Sequence, residues 1–257
     1  MENSIYEFIR YEQTGGVGTL TLDRPPVNVI NIVMLQELER ALQVAGADPE
    51  LKLLQLRAEG KLFSAGVDVA DHTPDRAEEM IQLFNRVCQD LVEFPVPTIA
   101  VVQGHALGGG CEFVICCDMA WMAEGAKIGQ PEIKLAAIAP IAALRLPAIV
   151  GPRWAAQLLF SGEPVDAQIA EKIGLVNGSG LVDEIERAVA GVTEQLTSLS
   201  AAATRINKQG YLMGMRGWQT GLEEMEELYL KELMALEDTQ EGLNAFMEKR
   251  EPVWQNK

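Results

Sequence analysis

The chain has 257 residues, of which 48% are hydrophobic, so it is long enough to bury one substantial core plus a small appendage. Its formal net charge of −16 argues against a general nucleic-acid-binding protein, because such proteins carry basic faces. The longest apolar stretch, residues 135–150, contains Pro140, Arg145 and Pro147 and is too short to span a membrane, so no membrane association is expected.

Short apolar runs typical of β-strands alternate with helical patterns in the first part of the chain. Strands are predicted over 18–22, 53–56 and 98–102, and helices between them over 33–44 and 76–94. This alternation predicts an α/β fold and leaves several parallel-sheet architectures open, including a doubly wound sheet. After residue 150 the strand signals fade, and amphipathic helices are predicted over 154–160, 182–196, 201–213, 220–234 and 239–250.

A simple division of the chain follows from this change in pattern. Residues 1–195 are expected to form the α/β core, and residues 196–257 a helical C-terminal region. No sequence repeat at a fixed period, low-complexity segment or long linker interrupts the chain.

The predicted strand over 98–102 runs into a glycine-rich loop, and a helix is expected to begin near Gly109 or Gly110. Unpaired backbone N–H groups at such a helix start can bind a developing oxyanion, and glycines leave room for its approach. Taken alone, three successive glycines are more typical of a turn at which helix and sheet pack closely. The loop matches neither a phosphate-binding loop nor a dinucleotide fingerprint.

Two glutamates stand where helices are expected to begin. Glu112 follows the glycine loop, and Glu132 follows Pro131 where the first turn of a helix is expected. Two carboxyl groups in one pocket can divide acid and base work between them. Each glutamate alone is explained as well by the helix dipole, which favours acids in the first turn. The placement of both glutamates together is what favours a catalytic role.

The other reactive side chains form no recognisable metal site or nucleophile motif, and no metal is expected. Cys88, Cys111, Cys116 and Cys117 have neither zinc-type spacing nor the density of a secreted scaffold, so they are expected to be reduced and packed. His105 is expected to anchor the glycine loop, and His72 to lie in a mobile loop near the pocket. The N-terminus shows no secretory signal, which makes the cytoplasm the expected location.

Several motifs in a fixed order together resemble one family. They are residues 20–28, 63–68, 106–112, 128–133, 162–176 and 241–250. In this order and spacing they are similar to the crotonase, or enoyl-CoA hydratase/isomerase, superfamily. The resemblance covers nearly the whole chain and implies a spiral of ββα turns with a helical C-terminal region that trimerises, often as a dimer of trimers.

The resemblance also assigns roles to particular residues. It implies an oxyanion hole formed by the backbone N–H groups of Val67 and Gly109, with Glu112 and Glu132 holding and activating water. The acyl pocket would include Ala136, Ala139 and Pro140. Coenzyme A would be contacted by Val27, Asn28, Ser64, Ala65, Val67, Phe246 and Lys249, the last two from a neighbouring subunit and on one helix face. An exposed lysine is as often merely solvated. The expected partner is an acyl-CoA thioester, and no cofactor is expected because CoA is part of the substrate.

The number of acids and the sequence after Glu132 refine the expected reaction. Isomerases of this superfamily usually keep one such acid, so two acids favour hydration. Residues 134–143 replace the usual glycine-rich stretch that lines the acyl pocket, and Pro140 stands where the common pattern has a glycine. The departure most resembles the subgroup of cyclohexa-1,5-diene-1-carbonyl-CoA hydratases, which act on a cyclic dienoyl-CoA in anaerobic aromatic degradation. Ordinary helix packing would also explain the alanines.

Other functions stay open at this stage. The chain could hydrate or isomerise a linear enoyl-CoA, or hydrolyse an acyl-CoA within the same superfamily. It could also be a catalytically silent paralogue retained for assembly or RNA binding. Retention of both Glu112 and Glu132 argues against the silent paralogue.

Overall fold

The computed structural model of the chain describes residues 6–213, 226–235 and 237–253. Its strands are β1 (Ile9–Thr14), β2 (Val17–Leu22), β3 (Leu53–Ala58), β4 (Thr98–Val102), β5 (Ala106–Leu107), β6 (Met119–Ala123), β7 (Lys127–Gly129), β8 (Val165–Asp166) and β9 (Gly178–Gly180). Its α-helices are α1 (Ile32–Ala47), α2 (Ala77–Val92), α3 (Gly109–Cys116), α4 (Pro140–Ile149), α5 (Gly151–Ser161), α6 (Ala167–Lys172), α7 (Val182–Thr197), α8 (Ala201–Met213) and α9 (Glu237–Glu248).

Two sheets organise the first part of the chain. The larger has the order β1-β2-β3-β4-β6-β9, in which β1 and β2 are antiparallel and the remaining pairs are parallel. The smaller sheet has the order β5-β7-β8. Single parallel bridges from Ile30 to Val67 and from Ser64 to Ala106 extend it towards the start of the chain.

These pairings reveal a repeated unit. Each turn contributes a strand to the large sheet, then a short extended segment to the small sheet, then a helix. The first turn is β2, the Ile30 bridge and α1, and the second is β3, the bridges at Ser64 and Val67, and α2. The third turn is β4, β5 and α3, and the fourth continues through β6 and β7. The expected spiral of ββα turns is confirmed.

Close packing of α2 on α3 fixes the glycine loop in place. Phe84 on α2 stacks on Phe113 of α3 with ring centroids 5.2 Å apart, and both rings are buried.

The nearly continuous apolar run of β4 is explained by its place in a parallel sheet that is covered on both faces, and every residue of this strand is buried. The four cysteines are free and buried, as expected.

The C-terminal helices pack back onto the spiral. Ile185 and Val189 of α7 cover Leu53, Ile99 and Val101 of the large sheet. The expected boundary between residues 195 and 196 falls inside α7, which ends at Thr197.

Beyond α7, the second helix of this region is joined to the sheet by a buried ion pair. The Lys208 ammonium of α8 meets the carboxylate of Asp118, which also accepts hydrogen bonds from Thr98. The first part of the predicted helix over 220–234 lies outside the described residues. Residues 226–227 are α-helical, and the chain continues as a π-helical turn, Leu228–Glu232, and a 3-10 turn, Leu233–Ala235. In the part of the chain that the structure describes, no helix is long and apolar enough to cross a membrane.

Candidate active site

A cavity of about 390 Å³ lies where the second and third turns of the spiral meet the C-terminal region. Its wall brings together both glutamates, the glycine loop and the loop that follows β3. The lining residues are Ala65, Gly66, Val67, Val69, His72, Met80, Ile81, Phe84, Leu107, Gly108, Gly109, Glu112, Pro131, Glu132, Lys134, Leu135, Ala137, Ile138, Pro140, Tyr229, Leu243 and Phe246. Most of these side chains are apolar, so charged groups in the cavity are poorly hydrated.

The glycine loop passes close beside a carboxylate. Gly108, the residue before α3, has φ of 54° and ψ of −127°, a conformation that favours glycine. A Cβ at this position would lie 2.7 Å from Oε1 of Glu132. The missing side chain therefore lets the Glu132 carboxylate approach the backbone at the start of α3.

Two backbone N–H groups are set on the same part of the wall. The Ile30 N–H donates to the Gly66 carbonyl (2.9 Å) and the Asp68 N–H donates to the Ile30 carbonyl (2.8 Å). In this parallel bridge the N–H of the residue between them, Val67, points away from Ile30. Gly109 is the first residue of α3, so its N–H lies before the first intrahelical hydrogen bond.

The loops that carry these N–H groups are in direct contact. A Cβ on Gly109 would lie 2.7 Å from Cγ2 of Val67, and a Cβ on Gly66 would lie 3.7 Å from the Gly109 nitrogen. Glycine at both positions permits this approach. The arrangement can present two donors to one ligand oxygen, which is what an oxyanion hole requires.

Glu112 is held in the first turn of α3, where its carboxyl group is buried. Oε1 accepts a hydrogen bond from the Ala142 N–H at 3.0 Å, at the start of α4. Pro140 occupies the first turn of α4, so this helix also begins beside the cavity. Burial raises the pKa of Glu112 to about 7, although hydrogen bonds from Ala142 and Ile141 oppose the shift.

Glu132 reaches the cavity from a 3-10 turn, Pro131–Leu135, which begins with proline. When the Gln130 amide is oriented with its nitrogen towards the carboxylate, that nitrogen donates to Oε1 at 3.1 Å and to Oε2 at 3.2 Å. Burial, and then the negative charge of Glu112, raise the pKa of Glu132 to about 8. Near neutral pH the pair therefore retains a proton, so that one acid and one base are present together.

This pair should make stability depend on pH in a defined direction. Both pKa values are raised above the usual 4.5, so the folded state binds more protons than the unfolded chain between that value and about 8. The free energy of unfolding should therefore fall as pH rises through this window. The Glu112→Gln/Glu132→Gln double variant lacks both carboxyl groups, and its melting temperature relative to the unsubstituted protein should increase from about pH 5 to about pH 9. A difference in melting temperature that stays constant across that pH range would contradict the claim that burial raises these pKa values.

Four of the residues expected to contact CoA shape the loops that carry the site. Asn28, with φ of 51°, is buried and donates through Nδ2 to the carbonyls of Glu59 (2.8 Å) and Leu62 (3.0 Å). Ser64 Oγ donates to the Asn28 carbonyl at 2.7 Å and accepts from the Gly66 N–H at 3.1 Å. The Val27 carbonyl accepts from the Ala65 N–H at 3.0 Å. Of these residues, Ala65 lies on the cavity wall.

The two C-terminal residues do not share a helix face, contrary to expectation. Phe246 of α9 lines the cavity of its own chain, with 53% of its surface exposed. Helix α9 ends at Glu248, and Lys249 takes the left-handed φ of 57° while its N–H donates to the Phe246 carbonyl. Lys249 therefore lies beyond the helix and outside the cavity wall.

The expected acyl pocket is shifted within its segment. Ala136 has φ of 54° and ends the 3-10 turn, and Ala139 is buried in the core beside α4. Neither lies on the cavity wall, which Ala137, Ile138 and Pro140 form in this segment. The left-handed Ala136 redirects the chain after the 3-10 turn, so the residues that reach the wall differ from those that the family resemblance implies.

The two histidines differ in their relation to the cavity. His105 accepts from the Lys127 N–H through Nδ1 at 3.0 Å, and its carbonyl accepts from Phe63 and Ser64, so it fixes the chain just before β5, which leads into the glycine loop. His72 lines the cavity and donates through Nδ1 to the Asp68 carbonyl at 3.0 Å. Burial lowers the pKa of His72, which favours the neutral ring.

Residues that sequence reasoning missed complete the wall. Met80, Ile81 and Phe84 come from one face of α2, and Tyr229 and Leu243 come from the C-terminal region. The helical periodicity of α2 could have identified its apolar face, but no local signal indicates what that face surrounds.

Nearly the whole chain matches known proteins that share this architecture. A sequence model described as enoyl-CoA hydratase/isomerase matches residues 12–257. Cyclohexa-1,5-dienecarbonyl-CoA hydratase of Thauera aromatica is 35% identical over 248 residues, which cover 96% of this chain and 95% of that protein. Crotonyl-CoA hydratase of Syntrophomonas wolfei is 34% identical over 254 residues, which cover 95% of this chain and 96% of that protein.

Solved structures agree with these sequence relatives. The crystal structure of an enoyl-CoA hydratase from Mycobacterium avium subsp. paratuberculosis has a TM-score of 0.87 and 26% identity, covering 98% of this chain and all of that one. The fold, the order of the motifs and the matched length all indicate the same family. The chain belongs to the enoyl-CoA hydratase/isomerase family.

Proposed function

We propose that this enoyl-CoA hydratase-type lyase adds water to a cyclic dienoyl-CoA thioester. The observation that carries the hydration chemistry is one apolar cavity that holds two carboxyl groups beside two backbone N–H donors. The ring substrate is the finer part of the proposal and rests on the wall contributed by residues 135–140.

In the proposed reaction, the N–H groups of Val67 and Gly109 bind the thioester oxygen. Negative charge gathers on that oxygen when water attacks the electron-poor carbon of the double bond and an enolate forms. Each donor of this kind contributes about 3–4 kcal/mol to transition-state stabilisation in a water-excluded site. Backbone donors fixed by the Ile30 bridge and by α3 need little reorganisation when the charge appears.

The two glutamates divide the proton transfers. One carboxylate takes a proton from water as the water oxygen forms its bond to carbon, and the other carboxyl group gives a proton to the enolate carbon. The raised pKa values of Glu112 and Glu132 support this division, because the pair then retains one proton at neutral pH. The sum is addition of one water molecule with the thioester intact.

A stiff wall supports the ring substrate. Pro140 has a fixed φ and stands where the common family pattern has a glycine, and Ala137 and Ile138 present apolar surface beside it. A rigid planar ring loses little conformational freedom on binding such a wall, whereas a flexible linear chain loses more. The Thauera aromatica relative, named for a cyclic dienecarbonyl-CoA, is consistent with this choice.

The test compares the two substrate classes directly. The kcat/KM for cyclohexa-1,5-diene-1-carbonyl-CoA should exceed that for crotonyl-CoA by more than the roughly 10–200-fold that one methylene provides. Replacing Pro140 by glycine should reduce this preference, because it restores a flexible position in the wall. Comparable kcat/KM values, or a preference for crotonyl-CoA, would overturn the ring substrate and leave hydration of a linear enoyl-CoA.

Assembly and location are part of the same proposal. We propose a homotrimer or a dimer of trimers, and exposed apolar side chains such as Phe160, Ile206 and Met247 supply surface for such contacts. Light scattering of the purified protein measures this directly. Four free, buried cysteines also suit the reducing cytoplasm, where we propose that the enzyme works.

A further inference from the structure

The polar side chains around the cavity are not evenly spread. His72, Glu112, Glu132, Lys134 and Tyr229 stand among apolar neighbours. Lys134 is paired with Glu163 at 2.8 Å, and His72 faces the charges of Asp68 and Asp71. Tyr229 instead lies close to the two cavity glutamates, whose negative charges add to burial in raising the pKa of its phenol. Tyr229 and the two glutamates thus line the same cavity, with the phenol within reach of both carboxyl charges.

The position of Tyr229 is set by packing and by a nearby hydrogen bond. Its side chain is only 2% exposed and belongs to the main hydrophobic core, which fixes the ring. One helical turn earlier, Glu226 accepts a hydrogen bond from the buried Asn85 of α2 at 3.3 Å. This contact joins the 226–235 segment to the helix that supplies Met80, Ile81 and Phe84 to the cavity wall.

We propose that Tyr229 is a third catalytic residue, whose phenolic O–H donates a hydrogen bond to the oxygen that is added to the substrate. That oxygen belongs to water before addition and to the hydroxyl group of the product afterwards. The inference rests on the proposed hydration chemistry and does not depend on whether the acyl group is a ring.

The chemistry of the group suits this role. The water oxygen forms its bond to carbon while one carboxylate takes its proton and the other carboxyl group protonates the enolate, so Tyr229 neither gains nor loses a proton. A phenol in this environment stays protonated and remains a donor. Both carboxyl groups are then free for proton transfer while the phenol orients the water.

The first test uses Tyr229→Phe, which removes only the hydroxyl group and keeps the buried ring. We expect kcat to fall by about 10–100-fold with little change in KM for the enoyl-CoA or in melting temperature. The matched control is Tyr211→Phe, the same chemical change at a half-exposed tyrosine on α8, which should leave kcat unchanged. An unchanged kcat in Tyr229→Phe would overturn the inference.

The second test separates hydrogen bonding to the added oxygen from shaping of the cavity. In the slowly reacting Glu132→Gln background, calorimetry compares cyclohexanecarbonyl-CoA with its 2-hydroxy derivative, with and without Tyr229→Phe. If the unsubstituted protein hydrates only linear substrates, butyryl-CoA and 3-hydroxybutyryl-CoA replace them. Loss of the phenol should weaken binding of the hydroxylated thioester by about 5–10-fold and leave the other unaffected.

The outcomes are distinct. Equal weakening of both thioesters, or of neither, would show that Tyr229 does not bind the added oxygen and would overturn the inference while hydration stands. If the unsubstituted protein hydrates no enoyl-CoA of either class, the proposed function fails first and the role of Tyr229 fails with it.

Discussion

Replacing either cavity glutamate by glutamine, as Glu112→Gln or Glu132→Gln, is expected to lower the hydration rate by about 10²–10⁴-fold. The amide keeps the size of the side chain but can neither take a proton from water nor give one to the enolate carbon. Both carboxyl groups are poorly hydrated, so the neutral amide should not destabilise the fold. Steady-state kinetics with each single variant measure the effect.

The double variant and a matched control make the result specific. Because the two carboxyl groups act as one unit, Glu112→Gln/Glu132→Gln should be hardly slower than the worse single variant. Glu37 is a buried glutamate outside the cavity that accepts hydrogen bonds from the N–H groups of Glu7 and Phe8. Glu37→Gln should therefore retain the normal rate. Near-normal turnover in either cavity variant would remove that glutamate from the mechanism.

Gly109→Pro is expected to reduce hydration by at least about 10²–10³-fold, because it deletes one oxyanion donor. Proline is well tolerated at the first position of a helix, and Gly109 is the first residue of α3, so the helix should still form. Circular dichroism checks the fold and steady-state kinetics measure the rate.

The effect of crowding by a side chain at position 109 must be distinguished from the effect of losing the backbone N–H. Gly109→Ala keeps the N–H, but its Cβ would lie 2.7 Å from Cγ2 of Val67 and 3.1 Å from the Phe84 ring, so some activity should be lost. Val67→Ala removes that methyl group and should restore much of the loss in Gly109→Ala. The same relief should not rescue Gly109→Pro, which still lacks the N–H. Rescue of the proline variant would show that crowding, and not the donor, limits the rate.

Local signals explain which parts of the fold could be predicted. The buried strand β4 and the helix start at Gly109 follow from an apolar run that meets glycines, and both are confirmed. Strand β9 consists of Gly178, Ser179 and Gly180, residues that strand propensity disfavours, so its pairing with β6 depends on tertiary context. Only the family resemblance predicts the spiral, because single-residue bridges such as that of Ile30 are too short to produce a repeating pattern in the sequence.

The residues of the candidate site likewise fall into those that local sequence predicts and those that only tertiary packing brings to the cavity. The positions of Glu112 and Glu132 follow from local helix starts, and the structure places both on one cavity wall. Tyr229 and Phe84 reach that wall only because distant segments pack together, and nothing near them in the sequence indicates it. The shift of the acyl wall to Ala137 and Ile138 follows from one left-handed residue, Ala136, whose conformation the sequence did not reveal.

Addition of water across a carbon–carbon double bond, with the thioester left intact, is the step on which the proposed function depends. The most direct measurement is mass spectrometry of the product formed from cyclohexa-1,5-diene-1-carbonyl-CoA in water labelled with oxygen-18. We expect a hydroxylated acyl-CoA that carries one labelled oxygen in its acyl group with the thioester intact. An unlabelled isomer of the substrate, or free CoA with the label in a carboxylic acid, would contradict it and identify isomerisation or hydrolysis instead.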